Sequence, residues 1–367
     1  MNKPKPIKKK ILYIGPYLED SLRGTYARNI IKGLHKNDHQ IELVPIFNKV
    51  DHSLDQYSSP EIIKTLETNS LDGYDVCIQH CEPNQYVRSN KFEQNIGIYT
   101  PSTYDIDPII YSKLELLDKI IVNSKTISNT LKNISFLNTK IKYCPAFIDE
   151  DILFSKDIQK LEWIDTKKYY FYTELEFDEM HDWEKLIYVY FTSFNKDVSL
   201  IIKTKDLESD EMKVQTIHQQ ITLFAIDANI QPDADRMPKI MSGTYKDIGY
   251  ANLINSIDCY IDIQKHTEPN SHAFLAHAMG KSVIANRYSE LQNLGKIYTV
   301  DALPVNLYKN HYDSIAGSSM YHYYYSLDAN SLRNQMLSAY RDRIHSKQEL
   351  KSDHKPFNIE NVNEALC

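Results

Sequence analysis

Short apolar runs and helical patterns alternate along this chain, and they do so in two successive series. In the first, Ile11–Gly15 is an apolar run closed by Gly-Pro, and Thr25–Lys36 carries Ala27, Ile30, Ile31 and Leu34 at helical spacing. Strand-like runs follow at Ile41–Phe47, Asp75–Gln79, Ile96–Thr100, Lys119–Asn123 and Ile141–Ala146. The second series comprises Tyr169–Thr173, a helix over Trp183–Phe194, Ser199–Lys203, a helix over Glu211–Phe224, Cys259–Ile263 and Ser282–Asn286. Trp183, Leu186, Ile187, Tyr190 and Phe194 form one apolar helix face. Strands that alternate with helices must run parallel, because each helix carries the chain back across the sheet. The pattern therefore predicts two doubly wound domains with a cleft between them. Ligands in such sheets bind at the carboxyl ends of the strands.

A chain of 367 residues can build two cores of ordinary size. Charged residues dominate between Asp149 and Lys168, which places a linker at 155–168. The expected divisions are an N-terminal domain over 1–154, a C-terminal domain over 169–330 and a last helix in 331–347. That helix, Ser331–Ser346, carries Leu332, Met336, Leu337, Tyr340 and Ile344, with Asp328 or Asn330 as its cap. It is expected to pack back on the N-terminal domain, with a polar, poorly ordered tail over 348–367.

The net charge of −7 opposes a broad grip on nucleic acid, which needs a basic surface. No run of about 18 apolar residues predicts a membrane span. The basic stretch at residues 1–10 precedes an apolar run too short for a signal sequence, so a cytoplasmic protein is expected. Five cysteines without regular spacing fit a reducing compartment. Cys77 and Cys81 flank His80, either as a metal corner or as buried thiols, but no second Cys/His pair completes four ligands. The 27 tyrosines read as a composition bias, and the tyrosine-rich Met320–Tyr325 either stacks a sugar or base or packs a core or hinge.

The most informative segment is TEPNSHAFLAHAMGKSVIA, from Thr267 to Ala285. An acidic residue, Glu268, opens a loop. A helix starts near Ser271, with its free N–H groups turned to the loop, and Gly280-Lys281 leads into a strand. Such a helix start is a natural phosphate site. The layout resembles the donor-sugar signature of the retaining group-1 GT-B glycosyltransferases. There a Glu-Gly-Phe-Gly loop is followed by a helix with a second glutamate eight residues after the first, then Gly-Lys-Pro and a strand. Here Ala276 stands eight residues after Glu268. Other phrases resemble the same family in the same order. They are the loop Gly15–Gly24 before the first helix, Asp118–Ile127, Cys144–Asp149, Asp197–Thr204 and Ile254–Ile261.

The resemblance implies the GT-B fold, two Rossmann-like domains facing across a cleft. It implies transfer of a sugar from a nucleotide-sugar donor, with retention and without a required metal or cofactor, to a carbohydrate or other acceptor that the sequence does not name. On it, Glu268 contacts the donor sugar, with Asp105 as a second candidate catalytic acid. Gly24, His181, Lys203, Asn270, Ser271 and His272 are the candidate donor-binding residues. Gly24 either lets backbone approach a ligand or merely starts its helix. Asp105 and Asp107 are acids of the site or solvated loop carboxylates. His266, His272 and His277 meet phosphate or metal, or are ordinary core and surface histidines. The family's Arg and Lys after the first strand of the second domain have no match. The segment Glu174–Asp182 is acidic there, with only His181 near the lysine position, and acidic side chains would repel a diphosphate. Two further readings stay open. One is a non-catalytic partner subunit of an active glycosyltransferase; the other is a sugar transferase acting on modified DNA bases.

Overall fold

In the computed structural model, the described residues are 8–19, 21–46, 60–67, 69–101, 106, 108–147, 150–204, 211–231, 233–241, 247–265, 270–307, 322–343 and 362. The first half runs β1 (Lys10–Gly15), α1 (Leu22–Lys36), β2 (Gln40–Pro45), α2 (Pro60–Glu67), β3 (Val76–Gln79), β4 (Gln94–Tyr99), α3 (Pro108–Glu115), β5 (Lys119–Val122), α4 (Lys125–Lys132), β6 (Ile141–Tyr143) and α5 (Glu150–Leu153). The second runs β7 (Tyr169–Glu174), α6 (Trp183–Ser193), β8 (Val198–Lys203), α7 (Glu211–Asp227), β9 (Lys239–Met241), α8 (Asp247–Ser256), β10 (Cys259–Asp262), α9 (Ser271–Ala278), β11 (Ser282–Asn286) and β12 (Tyr298–Val300). A hairpin of β13 (Ala302–Leu307) and β14 (His322–Leu327) and the helix α10 (Ala329–Asp342) follow.

Two separate parallel sheets of six strands result, in the orders β2-β1-β3-β4-β5-β6 and β12-β11-β10-β7-β8-β9. Central strands such as β3, β7 and β10 are buried along nearly their whole length. Helices cover both faces of a doubly wound sheet, so such strands are apolar on both sides. Each sheet accordingly has two cores. In the first domain, Ile30, Ile31 and Leu34 of α1 pack on one face, and Leu114, Ile127 and Leu131 on the other. In the second, α6, α7 and α10 cover one face, and α8 and α9 the other. Asx and Ser caps start several helices: Ser21 for α1, Ser124 for α4, Asn270 for α9 and Asp328 for α10. Each side-chain oxygen accepts one of the N–H groups that the first turn leaves unbonded.

The segment 155–168 joins the two halves without helix or strand. It is fastened to the second domain, where Leu161 N donates to Ser256 Oγ at 2.8 Å and Leu161 and Ile164 pack on the α8–α9 core. The expected docking of the last helix on the N-terminal domain is not what the structure has. Leu332, Met336 and Ala339 of α10 lie in the core of the second domain. The reason is aromatic complementarity: Tyr340 meets Tyr169 and Phe194 edge-on at 5.4 and 5.8 Å, and Tyr169 OH donates to Ala339 O. Val362 is the described part of the expected polar tail, and it is fully buried in the core of the first domain. From His322 on, the tyrosine-rich run forms β14, where Tyr325 stacks on Tyr288 at 3.8 Å; Met320 and Tyr321 lie outside the described residues.

Contacts between the domains among the described residues include the following. Helices α1 and α9 touch. Elsewhere Glu290, from a short 3-10 turn after β11, reaches the start of α4 in the other domain. Its Oε1 accepts from Ser124 Oγ at 2.8 Å and from Lys125 N at 2.7 Å.

Candidate functional site

The carboxyl ends of β7, β8 and β10 converge on the start of α9. Glu174 is the last residue of β7 and Lys203 the last of β8, paired in register. His272, the second residue of α9, presents Nδ1 to Glu174 at 2.9 and 3.1 Å from the two carboxylate oxygens. Tyr172 OH donates to Glu174 Oε1 at 2.9 Å. The ring of Tyr250 from α8 stacks on His272 at 3.9 Å and 13°, and Lys203 Nζ lies 5.1 Å from the centroid of the same ring. Burial acts to raise the pKa of Glu174. His272 first, then Lys203 and the Tyr172 hydroxyl, outweigh it and hold the carboxyl at about 2.

A depressed carboxylate stabilises the fold above its unfolded pKa and loses that contribution as pH falls through the folded value. Glu174→Gln is therefore expected to cost about 2–3 kcal/mol at pH 7, with the gap to the wild type closing between about pH 4.5 and pH 2. Urea unfolding at pH 7, 4 and 3 measures it; a gap that stays constant over this range contradicts the assignment.

Beside this group lies a second. Asn270 caps α9 by accepting from Ala273 N at 3.1 Å, and its Nδ2 donates to Tyr260 OH at 3.0 Å and Asp262 Oδ1 at 3.4 Å. Ser289 Oγ donates to Asp262 Oδ2. Burial pushes the Asp262 carboxyl up to about 6, against the pull of Asn270, the Gln264 backbone, Ser289 and His181. His181 pairs with Asp178 at 2.8 Å and bridges to Gln264.

Three buried polar atoms along this edge have no hydrogen-bond partner: Ser271 Oγ, Thr173 Oγ1 and Gln264 Oε1. Ser271 is the first residue of α9 and is 6% exposed. A buried hydroxyl left unbonded costs about 1–3 kcal/mol. Here it stands at a helix N-terminus with a buried lysine on a neighbouring strand end. That combination suits an anionic ligand.

Of the residues singled out from the sequence, Lys203, Asn270, Ser271 and His272 come together at this edge. His181 joins them on the β10 side. Glu268, His266, Asp105 and Asp107 lie outside the described residues. His277 sits at the far end of α9, with Nε2 3.0 Å from Gly295 O. Gly24 lies inside α1 under its own loop: a Cβ there would stand 2.1 Å from Glu19 O. The chain itself thus requires a glycine at this position. Gly24→Ala is expected to cost about 1–3 kcal/mol by overpacking, read by chemical denaturation without ligand. An unchanged midpoint would return the glycine to a ligand role.

The acidic segment Glu174–Asp182 is not the bare negative wall its sequence suggests. Glu174 holds His272, Glu176 accepts from Thr204 Oγ1, Asp178 holds His181, and Asp182 faces Lys185 and Lys265. Asp262, Tyr250 and Ser289 carry no sequence signal, since their partners are distant in the chain. The Cys77–His80–Cys81 stretch is buried, and His80 Nδ1 bonds Tyr13 OH at 2.9 Å. Among the described residues, no group of three or more His, Cys, Asp and Glu side chains is placed to hold a metal ion. No described helix is long and apolar enough to cross a membrane.

The chain has the GT-B fold, two Rossmann-like domains each built on a parallel sheet. It is similar in structure to HepE of Anabaena in complex with UDP-glucose, with a TM-score of 0.59 at 13% identity over 97% of each chain. It is also similar to a UDP-forming α,α-trehalose-phosphate synthase from Burkholderia xenovorans, with a TM-score of 0.59 at 11% identity over 98% and 97% of the two chains. Sucrose-phosphate synthase from Thermosynechococcus elongatus follows, with a TM-score of 0.57 at 13% identity over 98% and 95%. No protein-family model and no curated protein matches the sequence.

Proposed function

We propose that the protein is a glycosyltransferase that moves a sugar from a nucleotide-sugar donor to an acceptor across the interdomain cleft. The observation that carries this reading is the start of α9. The unpartnered Ser271 Oγ and the free N–H groups of a capped helix meet Lys203 at the carboxyl edge of the second sheet. The solved structures named above support it, because two of them carry UDP or UDP formation in their descriptions.

In this scheme the donor diphosphate lies against the first turn of α9. Lys203 and the helix N–H groups neutralise the charge that grows on the leaving diphosphate. The contact of α1 with α9 brings the first domain against the same helix, from which side it would orient the acceptor hydroxyl. Glu268 and Asp105 remain candidates for the reacting centre, the reaction is proposed to retain configuration, and no step needs a metal.

Calorimetric titration with UDP-glucose and other nucleotide-sugars tests the donor site. Micromolar binding that Lys203→Ala weakens about ten-fold, together with release of the nucleoside diphosphate, supports the transferase. Binding without turnover on any acceptor would assign a non-catalytic partner, and no binding at millimolar donor would refute the site.

A further inference from the structure

We propose that Glu174 and His272 act as one unit in the donor site, Glu174 orienting the imidazole so that its Nε2 edge meets a donor phosphate and grips it as Nε2–H when the ring is protonated. The inference rests on the donor-site reading above and deepens it: it makes donor binding depend on a proton.

A carboxylate only accepts hydrogen bonds, so the Nδ1 that faces both oxygens of Glu174 carries a hydrogen. Nε2 then points away from Glu174, on the opposite edge of the ring. Stacking on Tyr250 at 3.9 Å fixes the ring plane, so the imidazole has little freedom to turn. His272 follows the unpartnered, 6% exposed Ser271 in the first turn of α9, which places Nε2 at the same helix start.

The charge state decides what Nε2 does. In the neutral ring with Nδ1 protonated, Nε2 is a bare acceptor and repels phosphate oxygen. With a second proton it becomes a donor with positive charge. Glu174, Lys203 and a neutral His272 sum to zero charge; with His272 protonated they sum to one positive charge. A diphosphate therefore meets a site that is more attractive in the protonated state.

Among the described residues, the groups that face this imidazole are Glu174 with Tyr172 behind it on β7, Lys203 on β8 and Tyr250 on α8. Asp262 on β10 reaches the same helix start through Asn270. Burial pushes the Asp262 carboxyl up to about 6, so its titration falls inside the pH window of the test. Asp262→Asn is therefore the control.

UDP-glucose is the probe, since its diphosphate ester has no group that titrates between pH 5 and 8.5. In the wild-type protein, its Kd is expected to tighten about ten-fold as pH falls from 8.5 to 5.5, the worth of one charge-assisted hydrogen bond. His272→Gln should bind at the weak limit with a flat pH profile. Glu174→Gln, which no longer holds the ring through a carboxylate, should lose most of the tightening at low pH, and Asp262→Asn should leave the profile in place. Should Glu174→Gln fail to fold, the His272 C2–H signal followed by NMR with and without UDP-glucose gives the same answer: the ligand must raise its titration midpoint. A pH-flat wild type, or an unchanged profile in His272→Gln, overturns the inference while leaving the donor site standing. Absence of UDP-glucose binding at every pH overturns both.

Discussion

Asp182→Ala is expected to destabilise the second domain by about 3–5 kcal/mol, the cost of removing one partner from a buried charge cluster. Asp182 is 4% exposed. Its Oδ1 accepts from Ser326 Oγ and its Oδ2 from Leu327 N, both at 2.7 Å. Lys185 and Lys265 lie 3.4 and 3.5 Å from Oδ1, and the side chain of Lys265 is only 11% exposed. Alanine leaves the Leu327 amide without this acceptor and takes the counter-charge away from Lys265. The carboxylate also ties the start of α6 to β14, so the damage should be local in kind. The β13–β14 hairpin should exchange its amide hydrogens faster than the rest of the domain. Asp182→Asn keeps an acceptor for one donor and should lose about half as much. Equal stability of Asp182→Ala and wild type in urea would show that the cluster contributes nothing.

Glu290→Ala should uncouple the two domains. Besides its bonds to Ser124 Oγ and Lys125 N, Glu290 accepts from Tyr143 OH at 3.3 Å and Asn293 Nδ2 at 3.1 Å. Three of these donors belong to the first domain, and the carboxylate is 7% exposed. Hydrogen bonds to a charged group contribute about 1.5–3 kcal/mol each before overlap, and the start of α4 favours the negative charge further. A loss of about 3–4 kcal/mol in the coupling between domains is the expected size. Thermal unfolding that is one transition in the wild type should split into two, with a broader distribution of domain separations in X-ray scattering. Glu290→Gln should lie between. A single transition at the wild-type midpoint would place the coupling elsewhere, at the α1–α9 contact.

The alternation of strands and helices was legible because each long central strand is apolar on both faces, which leaves an uninterrupted run such as Tyr169–Thr173 or Ser282–Asn286. The edges were not. Strands β9 and β12 are three residues each, too short for any period to show. The start of α9 near Ser271 was readable from the signature-like segment around it; the capping role of Asn270 came only with the structure. What escaped was pairing. Glu174 reads as a repelling charge when its neighbours in sequence are counted, yet its partner His272 is 98 positions away. Asp182 and Ser326 are 144 apart, and Glu290 and Ser124 are 166 apart. Composition within a segment says which charges are present, and only the fold says which of them meet. The misplaced docking of α10 has the same origin: an apolar stripe announces that a surface will be covered, not by which domain.

Val362 carries one more consequence. The chain leaves the first domain after β6, completes the second with α10, and then returns to bury Val362 in the core it began with. The two bodies are thus joined by two lengths of chain instead of one. A single tether would let them swing and twist about each other in any direction. A second connection removes part of that freedom, because every relative displacement of the two bodies must be compatible with both lengths of chain.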